Sequence, residues 1–270
     1  LTKRDGRALY LLRSTRQAVL DCIYEKQLTP KRRSKMEITT LGIDLAKNVF
    51  QICGMNRNGK VLLTQRLKRS ELMRFIVQVK PCLIGLEACS SAYYWAREFS
   101  KHGHTVKLIA PQYVKPFVKT NKNDFNDAEA IAEAVQRPSM HFVPVKSVEQ
   151  QNVQALHRVR SRVVHERTAL MSEIRGLLAE YGVVIDTGTA QLRRALPVLM
   201  EDALDERITP LMREILAELS VQLEFADGQV KNLDQKIQRI HRASSICKRL
   251  SAIEGVGVLT ATAMVAAVGD

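Results

Sequence analysis

The sequence is poor in the residues that usually announce a covalent framework or a bound transition metal. Five cysteines in 270 residues, Cys22, Cys53, Cys82, Cys89 and Cys247, are scattered, with no C-x-x-C pair and no matching histidine spacing. Neither a zinc site nor a disulfide framework is expected, and reduced thiols in a cytoplasmic setting are. No apolar run approaches the ~20 residues of a spanning helix, so no membrane partner is expected. Neither a secretory nor a transit signal is expected from the opening residues. Acidic residues are also short: 28 Asp and Glu face 41 Lys and Arg, a net charge of +13.

Such an excess attracts polyanions, and nucleic acid is the first partner to consider. A 46% apolar fraction supports a real core rather than a disordered chain. Residues 1–35 differ from the rest. They hold ten Lys or Arg against three Asp or Glu and precede Met36, where strand-like sequence begins at once. The coincidence reads as an extension that is not native, with a basic nucleic-acid-binding arm as the alternative.

From 36 to 146 strands and helices alternate. Ile38–Leu45 and Val49–Met55 read as strands, and an Asn58-Gly59 turn leads into a third, "VLLTQRLK". Ser70 is the expected cap of a helix, "ELMRFIVQVK", ending at Pro81. "CLIGLEA" is a strand, "SAYYWAREFSKHG" a helix closed by Gly103, and "TVKLIAP" a strand. Short helical pieces and "DFNDAEAIAEAVQ" follow. Three antiparallel strands and then alternating helices and strands predict an α/β domain with a mixed sheet.

Residues 147–245 read as helical. Glu149–Tyr181 is one long basic helix whose Arg158, Arg160 and Arg162 are candidate phosphate contacts. A second segment places Met212, Leu216, Leu219, Leu223, Ala226, Val230, Leu233, Ile237 and Ile240 at alternating four- and three-residue steps. That is a heptad seam, fitting a coiled coil between copies or two helices back to back in one chain. Self-association is the expectation. Residues 246–270 form a helix-hairpin-helix-like segment around Gly255-Val256-Gly257, whose turn amides suit a phosphate; a tight helix-packing turn is the alternative.

Four carboxylates carry the chemistry. Asp44 closes the first strand and Glu87 the "LIGLE" strand, while Asp124 and Asp127 share one face at a helix start. Ligands of open α/β sheets bind at such strand ends. Carboxylates converging there repel unless cations neutralise them, and oxygen-only ligands suit magnesium or manganese. Singly, each has a plain counterpart: a helix cap at Asp124 or Glu87, a turn with Lys47 at Asp44.

"GIDLAKNVF", "GLEACSSAYYWA", "HTVKLIAPQYVKPF" and "NDFNDAEAIAEA" together resemble the blocks of the DEDD transposases and invertases of bacterial insertion sequences. That family includes the Piv-type invertases and the bridge-RNA-guided recombinases. The resemblance implies a RuvC-like N-terminal domain with the ribonuclease H fold, with Asp44, Glu87, Asp124 and Asp127 as a catalytic tetrad holding Mg2+ or Mn2+. It also implies DNA as substrate, a guide RNA as partner, and metal-dependent strand cleavage and rejoining. Where the family carries a basic residue inside its D-x-x-D block, this chain has Phe125 and Asn126. The family's second domain carries a catalytic serine beyond the hairpin, whereas Ser244, Ser245 and Ser251 precede the glycine turn. The expectation is a chain truncated before that end, binding metal and nucleic acid without recombining DNA.

Three readings compete. A ribonuclease H-like nuclease such as a Holliday-junction resolvase would use the same carboxylates with water. A nucleic-acid-binding remnant would use none. An ATPase of the actin and Hsp70 type also opens on a "GID" strand, but "LAKN" follows here in place of a phosphate-wrapping loop.

Overall fold

The computed structural model describes residues 37–118, 124–201 and 207–268, with Asp124 described by its backbone alone. The expected extension at 1–35 lies outside them. The described residues divide into two compact units, 37–92 with 98–141, and 93–97 with 142–268.

The first unit is built on a mixed sheet. Strands β1 (Thr40–Leu45), β2 (Val49–Met55) and β3 (Val61–Lys68) form an antiparallel meander, while β4 (Leu83–Glu87) and β5 (Thr105–Ile109) run parallel to β1. Their order across the sheet is β3-β2-β1-β4-β5. The meander was legible because β2 and β3 are joined by a turn at Asn56–Lys60, where the Asn56 carboxamide oxygen accepts from Asn58 N–H (3.0 Å) and Lys60 N–H (2.9 Å). Three antiparallel strands followed by parallel ones agree with a RuvC-like arrangement.

Helix α1 (Arg69–Gln78) buries Leu72 and Ile76, four residues apart, and packs on β2 and β3. Its cap is not Ser70. Lys68 takes the extended N-cap conformation, and its N–H donates to the Glu71 carboxylate at 2.8 Å; Ser70 already lies in the first turn. The helix ends at Gln78, three residues before Pro81, with Val79 extended. His104 seals the far side. Cys82 N–H donates to its Nδ1 (3.2 Å), so Nε2 carries the proton and donates to the Ile76 carbonyl (3.2 Å). Helix α2 (Ala92–Lys101) buries Ala92, Trp95, Ala96 and Phe99, an i, i+3, i+4, i+7 stripe. After β5 come α3 (Pro111–Val114), a 3-10 turn (Lys115–Phe117) and α4 (Asp124–Ala134).

Close approach of α4 to the sheet fixes this unit. A Cβ on Gly42 would stand 2.1 Å from the Ala128 carbonyl oxygen and 2.4 Å from Ala132 N, and one on Gly85 would stand 2.9 Å from Val135 Cβ. The helix therefore lies on β1 and β4 through glycines, with Ala128 and Ala132 meeting Cys53 and Met55. Gln136 Nε2 reaches Met55 Sδ at 3.5 Å, and Met55 pairs with Thr40 at the start of β1. Hence α4 runs antiparallel to β1 and sends its N-terminus toward Asp44.

The second unit is helical: α5 (Val148–Ala179), α6 (Thr189–Glu201), α7 (Pro210–Ala243), α8 (Ser245–Ser251) and α9 (Val258–Val268). Ser147 starts α5 with a reciprocal cap, its Oγ accepting from Gln150 N–H (3.1 Å) and the Gln150 side chain accepting from Ser147 N–H (2.9 Å). The heptad seam lies on α7. Met212, Leu216, Leu223, Val230 and Ile237 are buried, and Leu219, Ala226, Leu233 and Ile240 are half-buried. Its partner is α5 of the same chain. Arg160 pairs with Asp234 and Arg167 with Asp227, so seven residues forward on α5 match seven backward on α7: the helices are antiparallel. The seam expected to join two copies is thus occupied internally. Helix α6 falls inside the region expected to be helical, although its bounds were not drawn; it buries Leu192 and Leu196 and carries Pro197 inside.

Candidate functional site

Two of the site carboxylates, Asp44 and Glu87, stand near the ends of strands whose preceding residues are buried. Along β1 the pattern is buried through Ile43 and opens at Asp44; along β4 it is buried through Leu86 and opens at Glu87. The parallel register runs from Thr40 opposite Leu83 to Ile43 opposite Leu86, so Asp44 and Glu87 follow as the next neighbours at the same sheet end. Gly42 and Gly85 face α4, and alternation puts Asp44 and Glu87 on that face too. Asp127, one turn before Ile131 over Gly85, arrives from above.

Electrostatics agree with that placement. Burial pushes the Glu87 carboxyl above its ordinary range, and the charges of Asp44 and Asp127 push it further. The same field reaches Cys89, whose thiol is raised by burial and then by Glu87 and Asp44. Three of the four expected carboxylates therefore share one field; the side chain of the fourth, Asp124, lies outside the described residues although its backbone opens α4. Among the described residues no three of His, Cys, Asp and Glu make a closed metal-holding group. The donor chemistry nonetheless fits a hard divalent cation, since the expected ligands are carboxylate oxygens that carry excess negative charge.

The turn after β4 is tight. Ala88 N–H donates to the Ile109 carbonyl (2.8 Å), and Ser91, at φ 89°, is the one described non-glycine residue with positive φ. Backbone strain of this kind concentrates where a site is held in place. Gln51, which sequence reasoning passed over, lies in the same row: it is directly opposite Asp44 on β2, 5% exposed, with its Oε1 buried and unpartnered among the described residues. An unmatched buried acceptor costs about 1–3 kcal/mol. A polar residue between Phe50 and Ile52 was the available signal. A cleft of about 560 Å³ lined by Met55, Arg57, Glu129, Glu133 and Arg137 lies toward the other end of α4, away from the carboxylates.

In the helical unit the three candidate arginines differ. Arg160 Nε donates to Asp234 Oδ1 at 2.5 Å and is half-buried in the α5–α7 seam. Arg162 pairs with Glu166 at 2.5 Å on the exposed surface, and Arg158 is exposed. Beside them His157 Nε2 meets Thr262 Oγ1 at 3.0 Å; the Thr262 hydroxyl donates to the Val258 carbonyl (2.8 Å), so His157 donates to Thr262. Burial, then the Arg160 charge, hold His157 below its ordinary range. Gly255, at φ 82°, and Gly257 are exposed between α8 and α9, and a Cβ on either would meet nothing within 4 Å.

A mixed α/β sheet with carboxylates at the ends of two adjacent parallel strands, in a chain of net charge +13, fits the class of proteins that act on nucleic acid. Comparison with known proteins narrows this. A family model for DEDD transposases of the IS110 group, described as "Transposase", matches residues 41–183. The chain is 48% identical over 238 residues to a "Probable family 20 transposase" of Pseudomonas aeruginosa, covering 87% of this chain and 70% of that protein. It is 44% identical over 241 residues to the "Transposase for insertion sequence element IS1111A" of Coxiella burnetii (89% and 66%). It is 38% identical over 233 residues to the "Transposase for insertion sequence element IS1328" of Yersinia enterocolitica (86% and 69%). The chain belongs to the DEDD transposase family, and its matches span roughly two thirds of the length of these relatives.

Proposed function

We propose that this chain is the metal-dependent catalytic part of an insertion-sequence transposase, with Asp44, Glu87, Asp124 and Asp127 holding Mg2+ or Mn2+ against a DNA phosphodiester. What supports the reading is that Asp44 and Glu87 follow as neighbours at the end of two parallel strands, where burial and then the charges of Asp44 and Asp127 push the Glu87 carboxyl up. Bound divalent ions would polarise the scissile phosphate and stabilise the leaving oxygen. The protein's own contribution is placement. Gly42 and Gly85 let α4 lie against the sheet, so that Asp127 comes from one direction while Asp44 and Glu87 come from another.

The helical unit supplies the sequence-independent grip. Arg158 and Arg162 are exposed toward phosphates, Arg160 fixes the α5–α7 pairing through Asp234, and the Gly255–Gly257 turn offers backbone amides to a further phosphate. A guide RNA would meet the same exposed arginines, since a structured RNA presents the same phosphates. Strand rejoining through a serine, as the family resemblance implies, would need residues other than the serines before the glycine turn.

The reading is tested with Asp44→Asn in this chain. Mg2+-dependent cleavage of element-end DNA is expected to fall at least a thousandfold, as roughly 4 kcal/mol of lost barrier lowering implies, with DNA affinity unchanged. Cleavage that persists in Asp44→Asn overturns the reading. A covalent protein–DNA adduct trapped in the parent protein would distinguish a recombinase from a resolvase using water.

A further inference from the structure

We propose that Gln51 is a positioning residue of the carboxylate site: its Oε1 accepts a hydrogen bond from the hydration shell of the divalent cation held beside Asp44. The inference rests on the cation reading above and adds a residue to it.

Gln51 belongs to a strand that otherwise carries apolar residues and glycine, Val49-Phe50-Gln51-Ile52-Cys53-Gly54-Met55, and it is 5% exposed. In the antiparallel β1–β2 pair it stands directly opposite Asp44, and residues so paired project to the same side of the sheet. That side is the one covered by α4, because Cys53 and Met55, two and four residues on, meet Ala128 and Ala132. A row therefore crosses the sheet end from Gln51 on β2 to Asp44 on β1 and Glu87 on β4. Arg66, the other cross-strand neighbour of Gln51, is exposed and does not reach it: Oε1 has no donor among the described residues.

A buried amide oxygen without a donor is costly, and a sequence that only needed to fill this space would be served by leucine or methionine. The chemistry fits a donor brought by the cation. Magnesium keeps several of its waters when protein carboxylates hold it, and those waters are strong donors that need oriented acceptors. A neutral amide supplies an acceptor without adding to the repulsion among Asp44, Glu87 and Asp127. Outer partners of this kind commonly set metal affinity within ten- to a hundredfold.

The test uses the full 270-residue chain and Mn2+ alone as the probe, with calorimetric affinity and melting temperature as readouts. Gln51→Met keeps the volume and removes the acceptor; Gln51→Glu keeps an acceptor; Asp44→Asn sets the level of no specific binding. The expected result is Mn2+ affinity weakened about tenfold in Gln51→Met, retained in Gln51→Glu, with Gln51→Met melting in EDTA at or above the parent temperature. If Gln51→Met melts lower in EDTA, Gln51→Glu decides: affinity retained there upholds the role, and affinity lost overturns it. Parent-like affinity in Gln51→Met overturns this inference alone. Parent protein that binds no more Mn2+ than Asp44→Asn overturns it together with the cation reading.

Discussion

The two units use glycine in opposite ways, and the difference says where each needs accuracy. In the sheet unit Gly42 and Gly85 are contact points: the backbone of α4 sits where any side chain would be. In the helical unit Gly176 and Gly228 lie inside long helices, where a Cβ would meet nothing within 4 Å. The first arrangement brings Asp127 over a strand end with little slack. The second is held by large side chains along a seam and tolerates loss of helix propensity at single positions. Backbone contact positions a site; a heptad seam positions a surface.

Substitutions sharpen that contrast. Gly42→Ala is expected to have the largest effect, because the clash is with helix backbone and not with a flexible side chain. It should destabilise the sheet unit by 3 kcal/mol or more, at or above the usual ~1–3 kcal/mol of overpacking, seen as early loss of amide protection in β1 and α4. Leu216→Ala, at a fully buried seam residue, should cost about 2–5 kcal/mol in chemical denaturation and leave β1 protection intact. A mutation in either unit that melts both equally would erase the comparison.

Acidity acts on the two units with opposite sign. The folded Glu87 carboxyl is raised, so its cost to the metal-free protein is full above its folded range and disappears below its ordinary one. Glu87→Gln should therefore raise the melting temperature in EDTA at neutral pH, the gain vanishing toward about pH 4. Folded His157 is lowered, so the stability tied to it is present above about pH 6.5 and lost as pH falls below. A His157→Gln chain should lose this pH dependence in thermal melts. The smallest effect is Gly228→Ala, expected to stabilise by about 0.5–1 kcal/mol in urea titration, where the same change at Gly42 is ruinous.

Much of this was legible in the sequence. Strands β2 and β3 were bounded to the residue, because apolar runs and an Asn-Gly turn are local signals. The ends of β1 and β4 were marked by carboxylates after buried runs, and this is what located Asp44 and Glu87. The seam residues on α7 were read correctly, but their partner was not: heptads specify a buried stripe, not whose helix covers it, and α5 of the same chain does. Helix α6 lies in the region read as helical but was not delimited, because Pro197 in its middle reads as a break, although Leu192 and Leu196 still bury. The cap at Lys68 went to Ser70 because a hydroxyl is the usual signal, whereas Glu71 bonds the backbone itself. Gln51 was passed over since only register shows that it faces Asp44.

The central claim is that Asp44, Glu87, Asp124 and Asp127 form one cation site. Crystals soaked in Mn2+ test it most directly by anomalous scattering. The account predicts a peak at the end of β1 and β4, within coordinating distance of Asp44 oxygen and of at least two of the other three carboxylates. Ordered carboxylates at saturating Mn2+ with no peak among them would contradict it.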